Sequence, residues 1–296
     1  MSTTPDVRIA LTFDYDAFSV WIGTFGARSP SMVSRGEFGA IAVRRILKLL
    51  DDYEIKSTFF IPGHTVLAFP DTVVAIKDAG HEIGHHGWVH EKPLSLSPER
   101  ERWVMERGFE VLDKVAKMRP VGYRSPAWDN SPQTIPLLLE YGFEYESSLM
   151  GNDYEPYWCR LGDEFNATDE YKWGTPVNLV EVPVAWHLDD FPNFEYVWSK
   201  AGVLQGNRPP STSMEMWKGE FDYLYGRVGK GILNITMHPQ VIGRGHRLLF
   251  LEQFIQYVAS KPGVSFTTIQ DYVREWRKGK SPELPKDAGP NRLAKK

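Results

Sequence analysis

Histidine and aspartate residues that could bind a metal ion occur in two short segments of the sequence. His86 and His90 are four residues apart, so one helical turn would place both imidazoles on one face, about 5–6 Å apart. Asp14 and Asp16 are two residues apart in an apolar run, so in a strand both would point to the same side. Imidazole and carboxylate are the ligands of a catalytic zinc site. The four residues predict a mononuclear hydrolytic metal site with one spare carboxylate for acid–base chemistry.

Each pair also has an interpretation that involves no metal. The spacing of His86 and His90 is weak evidence by itself, because core and capping histidines also occur four residues apart. Asp14 and Asp16 could end a strand in solvent, although carboxylates on one strand face repel unless a cation lies between them or one is protonated. The residues alone leave open which aspartate is the ligand and which is the base. The joint occurrence of both pairs favours the metal site.

Arg124, Trp128 and His238 are further candidates for a catalytic site. A buried guanidinium from Arg124 beside two carboxylates would hold one of them ionised and oriented. The segment from Arg124 to Trp128 also suits a turn with a packed indole ring, and His238 could be a packing residue at a strand end. The one cysteine, Cys159, excludes an intramolecular disulfide and is typical of a small core residue.

Short apolar runs alternate with helical patterns, which predicts an α/β fold with repeated βα units and a parallel sheet. The predicted strands are residues 7–13, 56–61, 81–84, 121–123, 144–146, 179–183, 232–237 and 264–266. The predicted helices are residues 41–53, 71–79, 97–118, 132–141, 214–228, 247–260 and a last helix from 268. Between residues 150 and 178 the alternation breaks down into an aromatic, loop-rich stretch. About seven strands in one body favour a barrel over an open sheet.

The candidate residues follow predicted strands. They come after the first, third and fourth strands and after the strand at 232–237: Asp14, Asp16, His86, His90, Arg124 and His238. In a parallel βα barrel the carboxyl ends of the strands gather on one face, where active sites are built. Residues separated by more than 220 positions are therefore expected to converge.

Composition and charge narrow the class of protein. A chain of 296 residues with 42% apolar content can bury a full core, and we predict one catalytic domain over residues 1–276. Residues 277–296 hold seven basic and two acidic residues, so the net charge of −4 leaves −9 on the rest. We expect this basic tail to be disordered, and an acidic body argues against nucleic acid as the partner. The sequence has neither a secretory signal pattern nor an apolar run long enough to span a bilayer, which predicts a cytoplasmic protein that does not bind membranes.

Four groups of residues together resemble successive motifs of the polysaccharide deacetylase family, carbohydrate esterase family four. They are residues 12–16, the segment 80–84 leading to His86 and His90, Arg124 with Pro126 and Trp128, and His238. The resemblance extends from about residue 7 to about residue 275. It implies a distorted (β/α) barrel with fewer than eight complete units. Many members have adjacent aspartates, whereas Tyr15 separates Asp14 from Asp16 here.

The resemblance also implies a role for each matching residue. Asp14 would be the general base, and Asp16, His86 and His90 would hold one divalent ion. Arg124 would fix the base, Trp128 would line the substrate pocket, and His238 would be the general acid. We add Trp186 and Asp190 as candidate substrate-binding residues. The ligand types predict Zn²⁺, with Co²⁺, Mn²⁺, Ni²⁺ or Fe²⁺ as alternatives.

A finer resemblance is to a branch of peptidoglycan-deacetylase-like proteins, cyclic imide hydrolases and allantoinase-like enzymes. Residues 17–39 look like that branch's insertion after the first motif. Two further parts of the sequence also resemble the branch: residues 148–150 with 152–153, and residues 181–183 leading to the segment 186–190. The branch implies a covered site that excludes long glycans, and a homotetramer. The apolar insertion could contact a neighbouring subunit, roof the site, or fold over its own core.

The sequence therefore predicts a metal-dependent hydrolase of amide C–N bonds other than peptide bonds. N-deacetylation of an acetylated amino sugar, in a small-molecule or short saccharide substrate, is the predicted reaction. Ring opening of a cyclic imide, hydantoin or allantoin-type ureide is the alternative, because it uses the same attack on a C–N carbonyl. A non-catalytic glycan-binding module is the third interpretation, and it predicts loss of a catalytic residue, whereas all are present.

Overall fold

A curled, mostly parallel sheet forms the centre of the protein in a computed structural model that describes residues 4–199 and 202–284. The strands are β1 (Asp6–Asp14), β2 (Thr58–Ile61), β3 (Glu82–His85), β4 (Gly122–Tyr123), β5 (Tyr145–Glu146), β6 (Tyr157–Leu161), β7 (Thr175–Glu181), β8 (Tyr196–Ser199), β9 (Gly202–Gln205), β10 (Lys230–Met237) and β11 (Val264–Phe266). The sheet order is β10-β1-β2-β3-β4-β5-β7-β6, with β11 also paired to β1. Only β6 runs antiparallel in this described sheet, and β8 and β9 form a separate hairpin. A bridge between Asp189 and Thr236 of β10 brings the chain after β7 back to the first edge.

Helices cover the outside of the sheet. They are α1 (Pro30–Val33), α2 (Phe38–Asp52), α3 (Gly63–Ala68), α4 (Pro70–Asp78), α5 (Pro98–Ala116), α6 (Thr134–Glu140), α7 (Phe191–Phe194), α8 (Pro210–Tyr223), α9 (Pro239–Ile242), α10 (Gly245–Ala259) and α11 (Ile269–Trp276). Ser97 caps α5 by accepting a hydrogen bond from the Arg100 amide, and Thr268 caps α11 in the same way. Across residues 4–199 and 202–284, we find no helix of the length and hydropathy needed to cross a membrane.

The predicted architecture is confirmed: the fold is a distorted (β/α) barrel with fewer than eight complete units. Each predicted strand and helix has an observed counterpart, with ends that shift by a few residues. The prediction missed β6, β8 and β9 and the short helices α1, α3, α7 and α9. The last helix ends at Trp276, the predicted domain boundary, and residues 285–296 of the predicted tail lie outside the described residues.

Successive side chains of β1 point to opposite faces of the sheet, so this one strand contributes residues to both the core and the site. Ile9, Leu11 and Phe13 belong to the large core cluster shared with the outer helices. Ala10 points the other way, into a smaller cluster inside the curled sheet that α11 completes. Thr12 and Asp14 follow Ala10 on this interior face, so its character changes from apolar to polar towards the carboxyl end.

The neighbouring strand β10 repeats the pattern. Ile232 lies in the interior apolar cluster, whereas Leu233 and Ile235 pack outwards. Asn234, next on the interior face, donates to the Ser147 hydroxyl and the Pro183 carbonyl. The interior is therefore closed at one end by apolar packing and lined with polar groups towards the carboxyl ends of the strands.

Candidate active site

The two aspartates of the first motif lie where β1 ends. Asp14 is the last residue of the strand, and the chain turns immediately, because the Asp16 amide donates to the Asp14 carbonyl at 3.0 Å. Asp16 is therefore outside the strand, although both carboxylates reach the same site. The Tyr15 side chain between them points away and is buried, with its hydroxyl 3.1 Å from Thr72. An intervening residue is thus compatible with two convergent aspartates.

His86 and His90 converge, but not through the helical turn that their spacing predicts. His86 follows β3, and the chain up to His90 is a loop in which Gly87 and His90 have φ values of 72° and 61°. The two ring centroids nevertheless lie 5.1 Å apart, at 76° to each other. The helical expectation is wrong because two left-handed residues interrupt the segment, and the loop itself brings the rings together.

The nitrogen that each imidazole offers to the site follows from its hydrogen bonds. His86 Nδ1 lies 2.7 Å from the Arg124 carbonyl, which can only accept, so Nδ1 carries the proton. In the neutral ring, Nε2 of His86 is then the nitrogen with a lone pair, and it lies 3.4 Å from Asp16 Oδ1. His90 Nε2 lies 3.5 Å from Asp16 Oδ2, and burial lowers the pKa of His90 to about 4. A neutral imidazole with a free Nε2 is the form that binds metal ions.

Asp16, His86 and His90 fit a divalent cation. Their ligand atoms lie within 4.8 Å of one another, and all three side chains are buried. Both carboxylate oxygens of Asp16 and Nε2 of His86 have no hydrogen-bond partner among the described residues. Unpaired buried polar atoms are costly, so three that face each other need a common partner. Two imidazoles and a carboxylate are a donor set that suits zinc.

Asp14 differs from Asp16 in its contacts. Nη1 of Arg124 donates to Asp14 Oδ1 at 2.9 Å and to the Thr12 hydroxyl at 2.8 Å. The remaining guanidinium nitrogens contact Ser147, and the group lies 4.3 Å above the Phe60 ring, fully buried. Asp14 Oδ2 is left facing His86 Nε2 at 3.9 Å. Arg124 therefore holds one carboxylate oxygen of Asp14 in place, and the other oxygen points into the site.

His238 reaches the same site from the end of β10. Its Nδ1 lies 2.8 Å from Asp190 Oδ1, and its Nε2 lies 3.6 Å from Asp16 Oδ2. Burial lowers the pKa of His238, but the carboxylates of Asp189, Asp190 and Asp16 outweigh burial and raise it well above the ordinary value. An imidazolium held from behind by Asp190 would present an Nε2 proton to the site.

The placement of Asp190 differs from its expected position at the substrate. Its side chain is fully buried and accepts hydrogen bonds from both Nδ1 and the backbone amide of His238. The neighbouring Asp189 lines the pocket instead, and burial raises its pKa to about 7. Nothing in the sequence distinguishes Asp189 from Asp190, because consecutive residues of an irregular segment give no signal of which one faces a cavity.

A pocket of about 290 Å³ opens above these residues. Trp128 and Trp186 form one wall, with ring centroids 4.3 Å apart. The candidate catalytic residues at its floor are Asp14, Asp16, His90 and His238. Two further ionisable residues, Lys92 and Asp189, also line it. The remaining lining residues are Val20, Thr24, Phe25, Ala127, Phe191, Pro192 and Leu204. One side of the pocket, which we call its cover, is lined by residues of the insertion and of the region after α7: Val20, Thr24, Phe25, Phe191, Pro192 and Leu204. Three of the lining residues lie outside the predicted site: Thr24, Lys92 and Leu204.

Comparison with known proteins identifies relatives along nearly the whole chain. The sequence model of the polysaccharide deacetylase family matches residues 2–145. A peptidoglycan deacetylase from Helicobacter pylori is 34% identical over 285 residues, which cover 92% of this chain and 97% of that protein. A peptidoglycan deacetylase-like protein from Gibberella zeae is 31% identical over 293 residues, covering 91% of this chain and 86% of that protein.

Solved structures also resemble this chain along most of its length. A Mycobacterium smegmatis structure named "putative polysaccharide deacetylase" is 33% identical, with a TM-score of 0.83 and 96% of each chain covered. The structure of Puue allantoinase is 25% identical, with a TM-score of 0.75 and coverage of 93% of this chain and 91% of that chain. The convergent motif residues and these full-length similarities lead to one conclusion: the chain belongs to the polysaccharide deacetylase family and is a hydrolase of amide C–N bonds other than peptide bonds.

Proposed function

We propose that this protein is a metal-dependent deacetylase that removes the acetyl group from an N-acetylated amino sugar in a small or short substrate. The observation that carries the proposal is the set of unpaired, mutually facing ligand atoms of Asp16, His86 and His90 beside Asp14 and His238. We assign the ion to these three ligands and expect it to be zinc. A bound divalent ion supplies Lewis-acid activation of water and of the amide carbonyl.

The proposed roles of the other residues follow from their contacts. Arg124 holds one oxygen of Asp14, so the second oxygen is available as the general base that takes a proton from the attacking water. His238, protonated and braced by Asp190, gives its Nε2 proton to the leaving nitrogen. We therefore propose Asp190 as a positioning residue for His238, and Trp128 and Trp186 as the surfaces that contact the substrate.

The pocket supports a compact substrate. Its volume of about 290 Å³ is at the lower end of the range of small-molecule sites, and the cover residues line it together with the catalytic groups. We propose that the cover restricts the access of a polymer to these groups. Two indole rings suit one face of a sugar ring.

Ring opening of a cyclic imide or ureide is the second candidate. The observation that favours it is the similarity to the allantoinase structure across most of the chain, together with the covered pocket. A planar ring could also stack on the indole rings of Trp128 and Trp186, and hydrolysis would require the same base, acid and ion.

A side-by-side assay tests the two candidates with purified, zinc-loaded protein. Acetate release from N-acetylglucosamine oligosaccharides of one to six sugars is compared with ring opening of succinimide, hydantoin and allantoin. We expect acetate release that is greatest for the shortest substrates and negligible for insoluble chitin or peptidoglycan. Ring opening without deacetylation would favour the second candidate, and efficient deacetylation of insoluble glycan would refute the compact-substrate proposal. His238→Ala is the matched inactive control.

We also propose that the protein acts in the cytoplasm and assembles as a homotetramer. The lone cysteine, Cys159, is free and buried, and burial raises the pKa of its thiol well above the ordinary value. A chain without disulfides suits a reducing compartment. Exposed aromatic side chains on β8, described below, support association between copies.

A further inference from the structure

The cover of the pocket contains a hydroxyl that contacts His90 on the side away from Asp16. Thr24 Oγ1 lies 2.6 Å from His90 Nδ1 and 2.8 Å from the His90 carbonyl oxygen. A hydroxyl has one proton, and the carbonyl can only accept, so Thr24 donates to the carbonyl. His90 must then donate from Nδ1 to Thr24. This arrangement leaves a lone pair on Nε2, the atom that faces Asp16 at 3.5 Å.

Thr24 belongs to residues 20–25, which we call the roof segment. The backbone of this segment packs closely against the loop between His86 and His90. A Cβ atom at Gly23 would lie 1.8 Å from the Val89 carbonyl oxygen and 3.0 Å from the His90 carbonyl carbon. These are backbone atoms, so they cannot move aside as the end of a flexible side chain can. Only glycine permits this approach, and the approach sets the position of Thr24.

The roof segment is also anchored on its other side. Trp21 is fully buried, and its ring centroid lies 5.5 Å from that of Phe25. The Arg35 guanidinium stacks on Trp21 at 4.2 Å and forms an ion pair with Glu195. The roof segment therefore joins the pocket cover to His90 through fixed contacts.

We propose that Thr24 is a positioning residue for the metal centre, which holds His90 in the tautomer and orientation that bind the ion. The inference rests on the proposed function, because it takes His90 as a ligand. Nδ1 of His86 is fixed by a backbone carbonyl, whereas Nδ1 of His90 depends on this one side chain. Hydrogen-bond partners of metal-binding histidines typically change metal affinity by about 10–100-fold when they are removed.

A consequence is that metal binding and roof position are coupled. If the seated roof segment improves binding of the ion, then the bound ion must stabilise the seated roof by the same factor. The metal centre of this protein would thus be completed by the element that covers its pocket.

Zinc affinity of the full-length protein, measured by competition with a chromophoric chelator, tests the proposal. Thr24→Val keeps the side-chain shape without the hydroxyl, and we expect its zinc affinity to fall by about 10–100-fold. Thr24→Ser keeps the hydroxyl and should bind close to wild type. Gly23→Ala should weaken binding with Thr24 intact, because the added methyl group displaces the roof segment. Thr212→Val, at a partly exposed threonine that donates to the Pro209 carbonyl, is the control and should bind like wild type.

Tryptic cleavage after the exposed Arg28 gives a second readout that does not depend on activity. Zinc should slow this cleavage in wild type and in Thr24→Ser more than in Thr24→Val. Equal zinc affinity and equal protection in wild type and Thr24→Val would overturn the role of Thr24. Equal zinc affinity in wild type and His90→Ala would instead overturn the ligand assignment in the proposed function. Thermal unfolding of the metal-free variants checks that each is folded.

Discussion

Asp14 and Asp16 have similar positions in the chain but different surroundings. Asp14 is bonded to the Arg124 guanidinium, whereas Asp16 faces His86, His90 and His238 with both oxygens unpaired among the described residues. Burial would raise the pKa of Asp16, but the three imidazoles hold it below its ordinary value. These contacts support Asp14 as the base and Asp16 as the ligand, a choice that the residue types alone leave open.

Single amide substitutions should separate these two roles. Asp14→Asn should retain the metal and lose turnover by about 10²–10⁴-fold, because it removes only the base. Asp16→Asn should lose the metal itself, because an amide is a weaker ligand than a carboxylate. Metal content per chain and kcat measured on the same samples give both readouts. Asp78→Asn, at the exposed end of α4, is the matched control, and reversed phenotypes for Asp14 and Asp16 would exchange the assignments.

The neighbouring strands β5 and β7 bring two buried glutamates together as paired residues. Glu146 and Glu181 are fully buried, and Glu181 Oε1 accepts from the amides of Ser148 and Leu149. Burial and the neighbouring Glu146 raise the pKa of Glu181 well above its ordinary value. A shared proton would relieve the repulsion between the two carboxylates, so the strand pair is stable while that proton is present.

The pair predicts a specific pH dependence of stability. The folded state holds the Glu181 proton to higher pH than the unfolded state, whose carboxyl titrates near 4.5. The free energy of unfolding should therefore fall as pH rises above this value, by at most about 1.4 kcal/mol per pH unit for one proton. Glu181→Gln mimics the protonated form, so its stability should fall less steeply between pH 5 and 8 in urea titrations.

Glu144→Gln is the control for this experiment. A hydrogen bond from Arg274 lowers the pKa of Glu144, so its contribution is fully present above the unfolded pKa and is lost only at lower pH. The curve of this variant between pH 5 and 8 should run parallel to wild type at lower stability. A Glu181→Gln curve that is also parallel to wild type would contradict the shared proton.

At the scale of the whole molecule, the insertion at residues 17–39 folds onto its own chain. Val20 and Trp21 are buried and form a cluster with Val197 of the hairpin. The hairpin, in turn, exposes large aromatic side chains: Tyr196 is 47% exposed and Trp198 is 77% exposed. A two-stranded hairpin is marginally stable without a partner, so these side chains are better candidates for a contact between copies than the insertion.

Light scattering of the full-length protein at micromolar concentration tests the assembly. We expect a mass four times that of the chain for wild type and a smaller species for Trp198→Ser, because the substitution removes the largest exposed aromatic surface of the hairpin. Leu94→Ser, at an exposed leucine on a different loop, is the control. A monomeric wild type would reject the homotetramer.

Local patterns in the sequence are enough to predict which residues meet. The candidate catalytic residues lie at or just after the carboxyl ends of parallel strands, and these ends gather on one face whatever the details of the loops. The strand predicted at residues 7–13 is likewise observed as β1, with Asp14 as its last residue. These features depend on local periodicity, which the sequence displays directly.

The way in which the site is completed depends on contacts between distant segments. The loop conformation of His90, the choice of Asp189 rather than Asp190 for the pocket, and the contact from Thr24 each depend on segments that are distant in the chain. The same reason explains why β6 and the β8–β9 hairpin were not predicted. These strands form in an irregular stretch through pairing with other segments. Periodicity carries no information about such contacts, because they are set by packing between elements rather than by the order of residues within one element.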